Sequence, residues 1–254
     1  MNPTNSLASD AWSALSKNRA AWFSAIALTT MVLLVLLGPL VSPHEVDQTN
    51  WSKLAKPPSM DDGHIFGTDD LGRDLFVRTM YGGRISLMVG IVATLVSVLI
   101  GVSYGAISGF VGGKVDSIMM RIVDVLYAMP FLFFVILLMV FFGRSIFLIF
   151  VAIGAVNWLD IARIVRGQTL TIKGKEFVDA AKAGGVSTFR IIFRHIVPNL
   201  MGIVVVYVAL TVPQVILVES FLSFLGLGVQ EPMTSWGALV NQGARQMESS
   251  PWIL

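Results

Sequence analysis

The sequence has no cysteine and little charge: none of its 254 residues is Cys, and 13% are Asp, Glu, Lys or Arg. The first absence excludes disulfides, thiolate metal sites and cysteine nucleophiles. Because a soluble domain carries about 25% charged residues, the low charge, together with 55% hydrophobic residues, indicates a membrane protein. The net charge of +2 gives no basis for nucleic-acid binding.

Long apolar runs separated by polar segments predict an all-α polytopic membrane protein. A helix of roughly 20 apolar residues crosses a hydrocarbon core of about 30 Å. Five spans are predicted in the chain, at about residues 20–41, 85–110, 122–142, 146–166 and 200–224. Pro130 predicts a kink in the third span, and Pro213 predicts an interruption of the fifth. Residues 251–254 resemble the beginning of another apolar run, so a sixth span is expected beyond residue 254.

The N-terminal region has no signal-peptide pattern, since its first apolar run is too long for an h-region. Lys17 and Arg19 precede that run, and the short loops on the same side of the membrane are the more basic ones. This distribution predicts a cytoplasmic N-terminal segment at residues 1–19. Residues 43–84 then lie outside the membrane on the far side, and residues 167–199 form a cytoplasmic loop.

The outer segment, residues 43–84, contains a capping signal. Thr68 and Asp69 are predicted to cap a short helix that includes residues 71–78. Two interpretations remain open for this segment. It is either a contact surface for a partner on the outer face, or a capped interfacial helix that guides the chain back into the membrane.

Gly101, Gly105 and Gly109 form a GxxxGxxxG stripe in the second predicted span. Small residues at this spacing let a second helix approach closely in lipid, so the stripe predicts helix packing. Residues 101–105 also match the G-x-S-x-G pattern of serine hydrolases. The position within a span, with no histidine nearby in sequence, argues against an intramembrane hydrolase.

Residues 175–198, KEFVDAAKAGGVSTFRIIFRHIVP, form a polar island between two apolar runs. They predict two short helices joined by a hinge at Gly184-Gly185, with Ser187 as N-cap of the second helix and Pro198 as its end or a kink. Small groups beside one aromatic ring form a face of the first helix: Phe177, Ala180, Ala181 and Gly184. The pattern alone leaves open insertion into a cleft of another protein or an ordinary amphipathic loop.

The same residues resemble a known motif. Asp179-Ala180-Ala181, Gly185 and residues 195–198 follow the spacing of the EAA motif, E-A-A-x3-G-x9-I-x-L-P, of permease subunits of ATP-binding-cassette importers. Asp179, His195 and Val197 depart from its residue types. With HIFGTDDLGRD at 64–74, RIVRGQT at 163–169 and ESFLSFLGLG at 219–228, the chain from about residue 18 onward is similar to C-type permeases of peptide importers, above all the oligopeptide type.

The resemblance implies a MetI-like importer permease fold, with residues 20–254 as a transmembrane permease domain in the bacterial cytoplasmic (inner) membrane. The implied partners are a second, B-type permease, two cytoplasmic ATPase subunits, a periplasmic or extracellular peptide-binding protein, and membrane lipid. ATP and Mg would be bound by the ATPases, and this subunit would have no cofactor, no metal and no catalytic residue. The implied ATPase-coupling residues are Glu176, Asp179, Ala180, Ala181, Gly185 and Pro198.

Glu219, near the outer end of the fifth predicted span, is a candidate residue of the translocation path. It is expected either to face the permease interior, where it meets a peptide amine or a fixed cation, or to reach the outer headgroups. An alternative function for the chain is that of a permease in a related dipeptide or nickel importer. A secondary transporter is a weaker alternative, because ionisable groups near mid-membrane are missing and Asp160 and Glu219 sit near span ends.

Overall fold

The structure is a computed structural model that describes residues 16–143 and 145–254, apart from the side chain of Ile146. Within those residues the regular structure is helical, with two isolated β-bridges and no strand, which confirms the predicted fold class. The helices are α1 (Arg19–Val41), α2 (Leu75–Val111), α3 (Gly113–Tyr127), α4 (Phe131–Phe142), α5 (Ile146–Lys173), α6 (Glu176–Ala183), α7 (Thr188–Ile191), a π-helical turn (Ile192–Ile196), α8 (Val197–Phe224), α9 (Trp236–Arg245) and a 3-10 turn (Pro251–Ile253).

Four helices in the described part of the chain are long and apolar enough to cross a membrane: Arg19–Val41, Leu75–Val111, Phe147–Lys173 and Thr188–Phe224. The count becomes five if α3 and α4 form one broken span, since they meet at an angle of 83°. This agrees with the five predicted spans. The expected kink at Pro130 is a complete break, because the helix stops at Tyr127 and restarts at Phe131.

The helix that contains the second predicted span begins ten residues before that span, at Leu75. The short helix predicted before it is the first part of α2. Asp74, rather than Thr68 or Asp69, caps this helix: its Oδ1 accepts the backbone N–H of Val77 at 2.9 Å. Hydropathy detects where apolar residues begin, whereas this helix starts in a polar stretch.

Two further boundaries differ from the prediction. The fourth span continues as helix to Lys173, and Pro213 lies inside α8 without interrupting it. Proline is tolerated inside a membrane helix where neighbouring groups take up the freed carbonyl.

The chain divides into two compact units. The first unit comprises residues up to 84 together with 247–253. Within it, the connection between α1 and α2 is built around Asp69, which is completely buried. Its Oδ2 lies 2.7 Å from Arg73 Nε and 3.4 Å from Arg78 Nη1, and its Oδ1 accepts the Arg73 backbone N–H. The HIFGTDDLGRD motif therefore forms a folded core in which Asp69, Arg73 and Asp74 are buried, while Asp70 is exposed.

The second unit, mainly residues 85–246, contains the rest of α2 and the helices from α3 to α9. One hydrophobic core of this unit joins α2, α5, α6, α7, the π turn and α8. The fully buried members include Ala106 on α2, Val178 on α6 and Ile196 on the π turn. The polar island is thus packed on the spans that flank it.

Candidate functional site

The EAA-like segment, residues 175–198, is held to the rest of its unit by α6. Val178 is completely buried and packs in the core with Phe110 of α2 and Ile191 of α7. Ala181 is partly buried against the same core, whereas Ala180 is exposed. The predicted face of small residues is therefore divided: Ala181 serves packing within the chain, and Ala180 belongs to the outer surface.

The turn after α6 has the hydrogen bonds of a Schellman motif. The N–H of Val186 donates to Ala181 O at 3.1 Å, and the N–H of Gly185 donates to Lys182 O at 3.0 Å. Gly185 has φ +73°, a left-handed conformation that favours glycine because it has no Cβ. The predicted hinge is thus a defined turn, and Val186 and Ala181 pack on the same core.

The outer surface of α6 presents charged and small groups. Glu176, Asp179, Ala180 and Lys182 are exposed, and Lys182 Nζ lies 3.0 Å from Asp179 Oδ1. An exposed pair of this kind contributes at most about 1 kcal/mol, so it leaves Asp179 available to another cation. Phe177, which is 41% exposed, adds an apolar group to the surface.

The helix does not end at Pro198, because helical structure continues from Thr188 to Phe224, and a kink at Pro198 stays a prediction. A π-helical turn, Ile192–Ile196, lies directly before the proline. Pro198 lacks the N–H that α-helical bonding to Arg194 would need, and a wider turn at this point changes the pattern of bonds. Asn199 Nδ2 donates to His195 O at 2.6 Å nearby. Ser187, at the N-cap position, makes no side-chain capping bond.

The glycine stripe of α2 lies against α5. A Cβ on Gly101 would lie 2.7 Å from Ile161 Cβ, and one on Gly109 would lie 2.9 Å from Thr169 Cβ. A Cβ on Gly105 would collide with the carbonyl oxygen of Ala162. All three approaches are too close for a side chain, so the absence of Cβ groups sets the distance between the two helices.

Arg163 and Arg166, in the RIVRGQT motif of α5, both bind carboxylates of α3. Arg166 forms a bidentate pair with Asp116, with distances of 2.6 Å from Nε to Oδ1 and 2.5 Å from Nη2 to Oδ2. Ser108 of α2 also donates to Asp116, so this carboxylate joins three helices. Arg163 Nη2 lies 2.7 Å from Asp124 Oδ1 in a more exposed pair.

Glu219 is completely buried, which differs from an outer headgroup position. Its Oε2 accepts the Ser86 hydroxyl at 3.0 Å and its Oε1 accepts the Ser223 hydroxyl at 2.6 Å. The carboxylate has no ion pair with a cation among the described residues. Ser235, before α9, donates to Ser223 at 3.1 Å, so the network connects α2, α8 and the start of α9. A role of Glu219 in the translocation path stays a prediction.

Sequence reasoning missed three features of these sites. Val178 is the buried anchor of α6, although the predicted face excluded it. The Asp116–Arg166 pair joins residues 50 positions apart, for which one sequence gives no signal. A cluster of His44, His64 and Asp74 in the first unit was also missed, because the three residues lie apart in the sequence.

The chain matches two family profiles. Residues 101–253 match the family described as "Binding-protein-dependent transport system inner membrane component". Residues 6–58 match the "N-terminal TM domain of oligopeptide transport permease C". The first match covers more than half of the chain and includes the glycine stripe, the EAA-like segment and Glu219.

Curated relatives are similar over nearly the whole chain. The oligopeptide transport system permease protein OppC of Escherichia coli (strain K12) is 60% identical over 249 residues, which are 98% of this chain and 82% of that protein. The OppC protein of Haemophilus influenzae is 55% identical, over 98% of this chain and 80% of that protein. A dipeptide transport system permease protein, DppC of Bacillus subtilis, is 49% identical over 98% of this chain and 78% of that protein.

Apolar helices of spanning length joined by a packed polar segment define a multi-pass inner-membrane protein of the permease class. The chain belongs to the family of inner membrane components of binding-protein-dependent transport systems. Its members are permease subunits of ATP-binding-cassette importers, which are transport components rather than enzymes. The predicted resemblance is therefore confirmed.

Proposed function

We propose that this chain is the C-type permease subunit of an ATP-driven importer that moves oligopeptides across the cytoplasmic membrane. The proposal is supported by the names of its relatives, several of which are oligopeptide permeases at 55% identity or more. The match of residues 6–58 to the N-terminal domain of oligopeptide permease C supports the same substrate class.

The structural observation that carries the coupling role is the construction of the EAA-like segment. Glu176, Asp179 and Ala180 lie on the exposed surface of α6, while Val178 binds the helix to the core. A helix that is exposed on one face and fixed on the other is suited to contact a partner and to transfer its movement. We assign this contact to the two cytoplasmic ATPase subunits.

The link from α6 to the membrane is short and well bonded. Gly185 forms the Schellman turn, and Pro198 lies in the helix that continues to Phe224. Ala181 packs beneath the turn. A movement of α6 that follows ATPase closure would therefore reach the spans directly, since a flexible connection that could absorb it is lacking between Gly185 and Phe224.

Residues 1–19 and the loop 167–199 are assigned to the cytoplasm, and residues 43–84 to the outer side. The basis is the distribution of Lys and Arg in short loops. Residues 20–254 form the transmembrane permease domain. On this topology the EAA-like segment is on the same side as the ATPases, which would hold the ATP and Mg. We assign no nucleotide cofactor to this subunit.

The remaining partners are a B-type permease, an external peptide-binding protein and membrane lipid. The most apolar 18-residue stretch of α1 is only 11% buried within the chain. The corresponding stretch of Thr188–Phe224 is 17% buried, compared with 50% for α2. These two segments thus leave much apolar surface uncovered within the chain. Lipid and a second permease would cover it.

Uptake by the reconstituted complex tests the proposal. Proteoliposomes that contain this chain, its partner permease and the ATPases are supplied with binding protein and a graded series of labelled peptides. We expect ATP-dependent uptake of peptides longer than two residues that vanadate inhibits and a protonophore does not. Uptake that the protonophore abolishes and vanadate leaves unchanged would instead indicate a secondary transporter.

A dipeptide importer is the second candidate, because the dipeptide permease of Bacillus subtilis is 49% identical over 98% of the chain. The same peptide series distinguishes the two functions. Uptake limited to dipeptides would replace the oligopeptide assignment, and uptake of nickel ions without peptides would replace both.

A further inference from the structure

Three side chains that commonly bind metal ions converge in the first unit, in the connection between α1 and α2. They are His44, His64 and Asp74, and one ligand atom of each lies within 4.8 Å of the others. His64 and Asp74 are buried, with 2.8 Å between His64 Nδ1 and Asp74 Oδ2. The His44 ring stacks on the His64 ring, with 4.3 Å between their centroids.

A second observation points to a ligand at this cluster. His44 Nε2 is buried and has no hydrogen-bond partner. Leaving a buried polar atom unpaired costs free energy, and most such atoms in native proteins have a protein, water or ion partner. Gly63 lies beside this nitrogen, and a Cβ there would be 3.5 Å from it.

The cluster borders a cavity of about 110 Å³, which is enough for an ion and its water. The side chains of Gln48 and Asn50 also line it. Lys53 is the one cation among the lining residues, and its Nζ lies 3.4 Å from Asp62 Oδ1. Its charge is thus compensated outside the cluster.

We propose that His44, His64 and Asp74 bind a divalent transition-metal ion, with Zn²⁺ as the best fit. Two imidazole nitrogens and one carboxylate oxygen are ligands that Zn²⁺ accepts, and a water in the cavity would complete four-coordination. Zinc ligands at about 2.0–2.2 Å from the ion lie about 3.4 Å from one another in a tetrahedron. To reach this distance the two rings would turn out of their stack, and the His64 and Asp74 donors, now 2.8 Å apart, would separate.

Both histidines would bind the ion as neutral imidazoles. His64 would bind through Nδ1 with its ring proton on Nε2, so the ion takes the place of the His64–Asp74 hydrogen bond, and His44 would bind through Nε2. No covalent bond in the chain is made or broken. The ion would connect the residues that follow α1, the loop at residue 64 and the residue that caps α2, so the site would fix the path of the connection.

Metal content of the intact complex tests the proposal. The complex, purified through a tag without histidine, is equilibrated with buffered Zn²⁺ and, separately, with Co²⁺. We compare wild type with His44→Gln and His64→Gln, and use His195→Gln, which changes the third histidine of the chain, as the matched control. We expect wild type and the His195→Gln control to bind one equivalent of metal more than His44→Gln and His64→Gln. The apparent metal affinity of these two variants should be at least about tenfold weaker than that of wild type.

The Co²⁺ absorption spectrum gives an independent readout, because tetrahedral Co²⁺ has intense visible bands that the two variants should lose. His44→Gln is decisive if His64→Gln prevents assembly, since His44 Nε2 has no hydrogen bond to lose. His44→Asp, which keeps a ligand, should restore part of the binding. Equal metal content in wild type and His44→Gln, with equal Co²⁺ spectra, would overturn the proposal and leave a hydrogen-bonded histidine stack.

Discussion

Arg84 binds the backbone carbonyl that Pro39 leaves without its helical donor. In an α-helix the N–H of residue 39 would donate to Val35 O, but proline has no N–H. Arg84 Nε donates to Val35 O at 3.0 Å, and its Nη2 donates to Leu36 O. A proline inside a membrane helix is thus compensated by a side chain of the next helix.

The first prediction concerns this pair. Arg84→Met should lower the thermal stability of the complex, by about 1 kcal/mol, because a carbonyl in α1 loses its donor. In a Pro39→Ala background the backbone supplies its own N–H, so the same change should cost less. A double-mutant cycle from thermal unfolding measures the difference. Equal losses in the two backgrounds would contradict the assigned relationship.

The second prediction concerns Gly185. Gly185→Val forces a β-branched residue into the left-handed region, at a cost of about 1–2 kcal/mol. We expect peptide uptake to fall even where the protein still inserts, because the Schellman turn loosens and α6 loses its fixed position. ATPase retention, ligand-stimulated hydrolysis and uptake are measured together.

Gly184→Ala is the matched control for Gly185→Val. Gly184 has φ −74°, which alanine adopts freely, and the nearest atom to an added Cβ is 3.4 Å away. This variant should keep uptake near wild type. Normal values of all three measurements for Gly185→Val would show that the turn has no part in coupling.

The third prediction concerns the glycine stripe. Gly105→Leu should disrupt packing of α2 on α5, since even a Cβ collides with Ala162 O. We expect loss of monodisperse complex on size-exclusion chromatography. Gly202→Leu is the control, because no described atom outside the neighbouring backbone of its own helix lies within 4 Å of a Cβ there. Recovery of an intact complex that carries Gly105→Leu would refute the packing role.

The fourth prediction concerns Arg166 and Asp116. Arg166→Lys keeps the charge but loses the bidentate geometry, so stability should fall by roughly 1–2 kcal/mol. Arg163→Lys, in the more exposed pair with Asp124, should have a smaller effect. Thermal unfolding of the two variants in detergent gives the comparison. A larger loss for Arg163→Lys would reverse the assignment of the structural pair.

The fifth prediction concerns Glu219. Glu219→Leu leaves the Ser86 and Ser223 hydroxyls without their acceptor and should destabilise the complex by about 1–3 kcal/mol. Glu219→Gln keeps the shape and one acceptor, so assembly should survive. Uptake by the Glu219→Gln complex then measures the effect of removing the charge of Glu219 alone. Wild-type uptake and assembly would exclude a translocation-path role, whereas reduced uptake in an intact complex would support one.

The sequence predicted features that depend on local chemistry. The Gly184-Gly185 pair predicted the end of a helix, and the structure places α6 up to Ala183 with Gly185 at positive φ. The spans followed from long apolar runs. Each of these features is determined by residues close together in the chain.

Features that depend on distant contacts could not be predicted. α6 has two apolar sides, one with Phe177 and one with Val178, and its sequence does not say which side meets the core. Glu219 was placed near a membrane surface by its position, while the hydroxyls that bury it come from Ser86 and Ser223. Pro198 was predicted as a helix end or a kink and Pro213 as an interruption, because a single sequence does not show how freed carbonyls are satisfied.

The continuous helix from Thr188 to Phe224 has 37 residues and is therefore about 55 Å long. It exceeds a hydrocarbon core of about 30 Å, so its two ends lie in different surroundings. The EAA-like segment is at one end and Glu219 is near the other. A push on α6 would act on a single rod whose far end is held by the Ser86 hydroxyl. The π-helical turn is the one departure from α-helical bonding along this helix, so its stiffness would decide how much of the movement reaches Glu219.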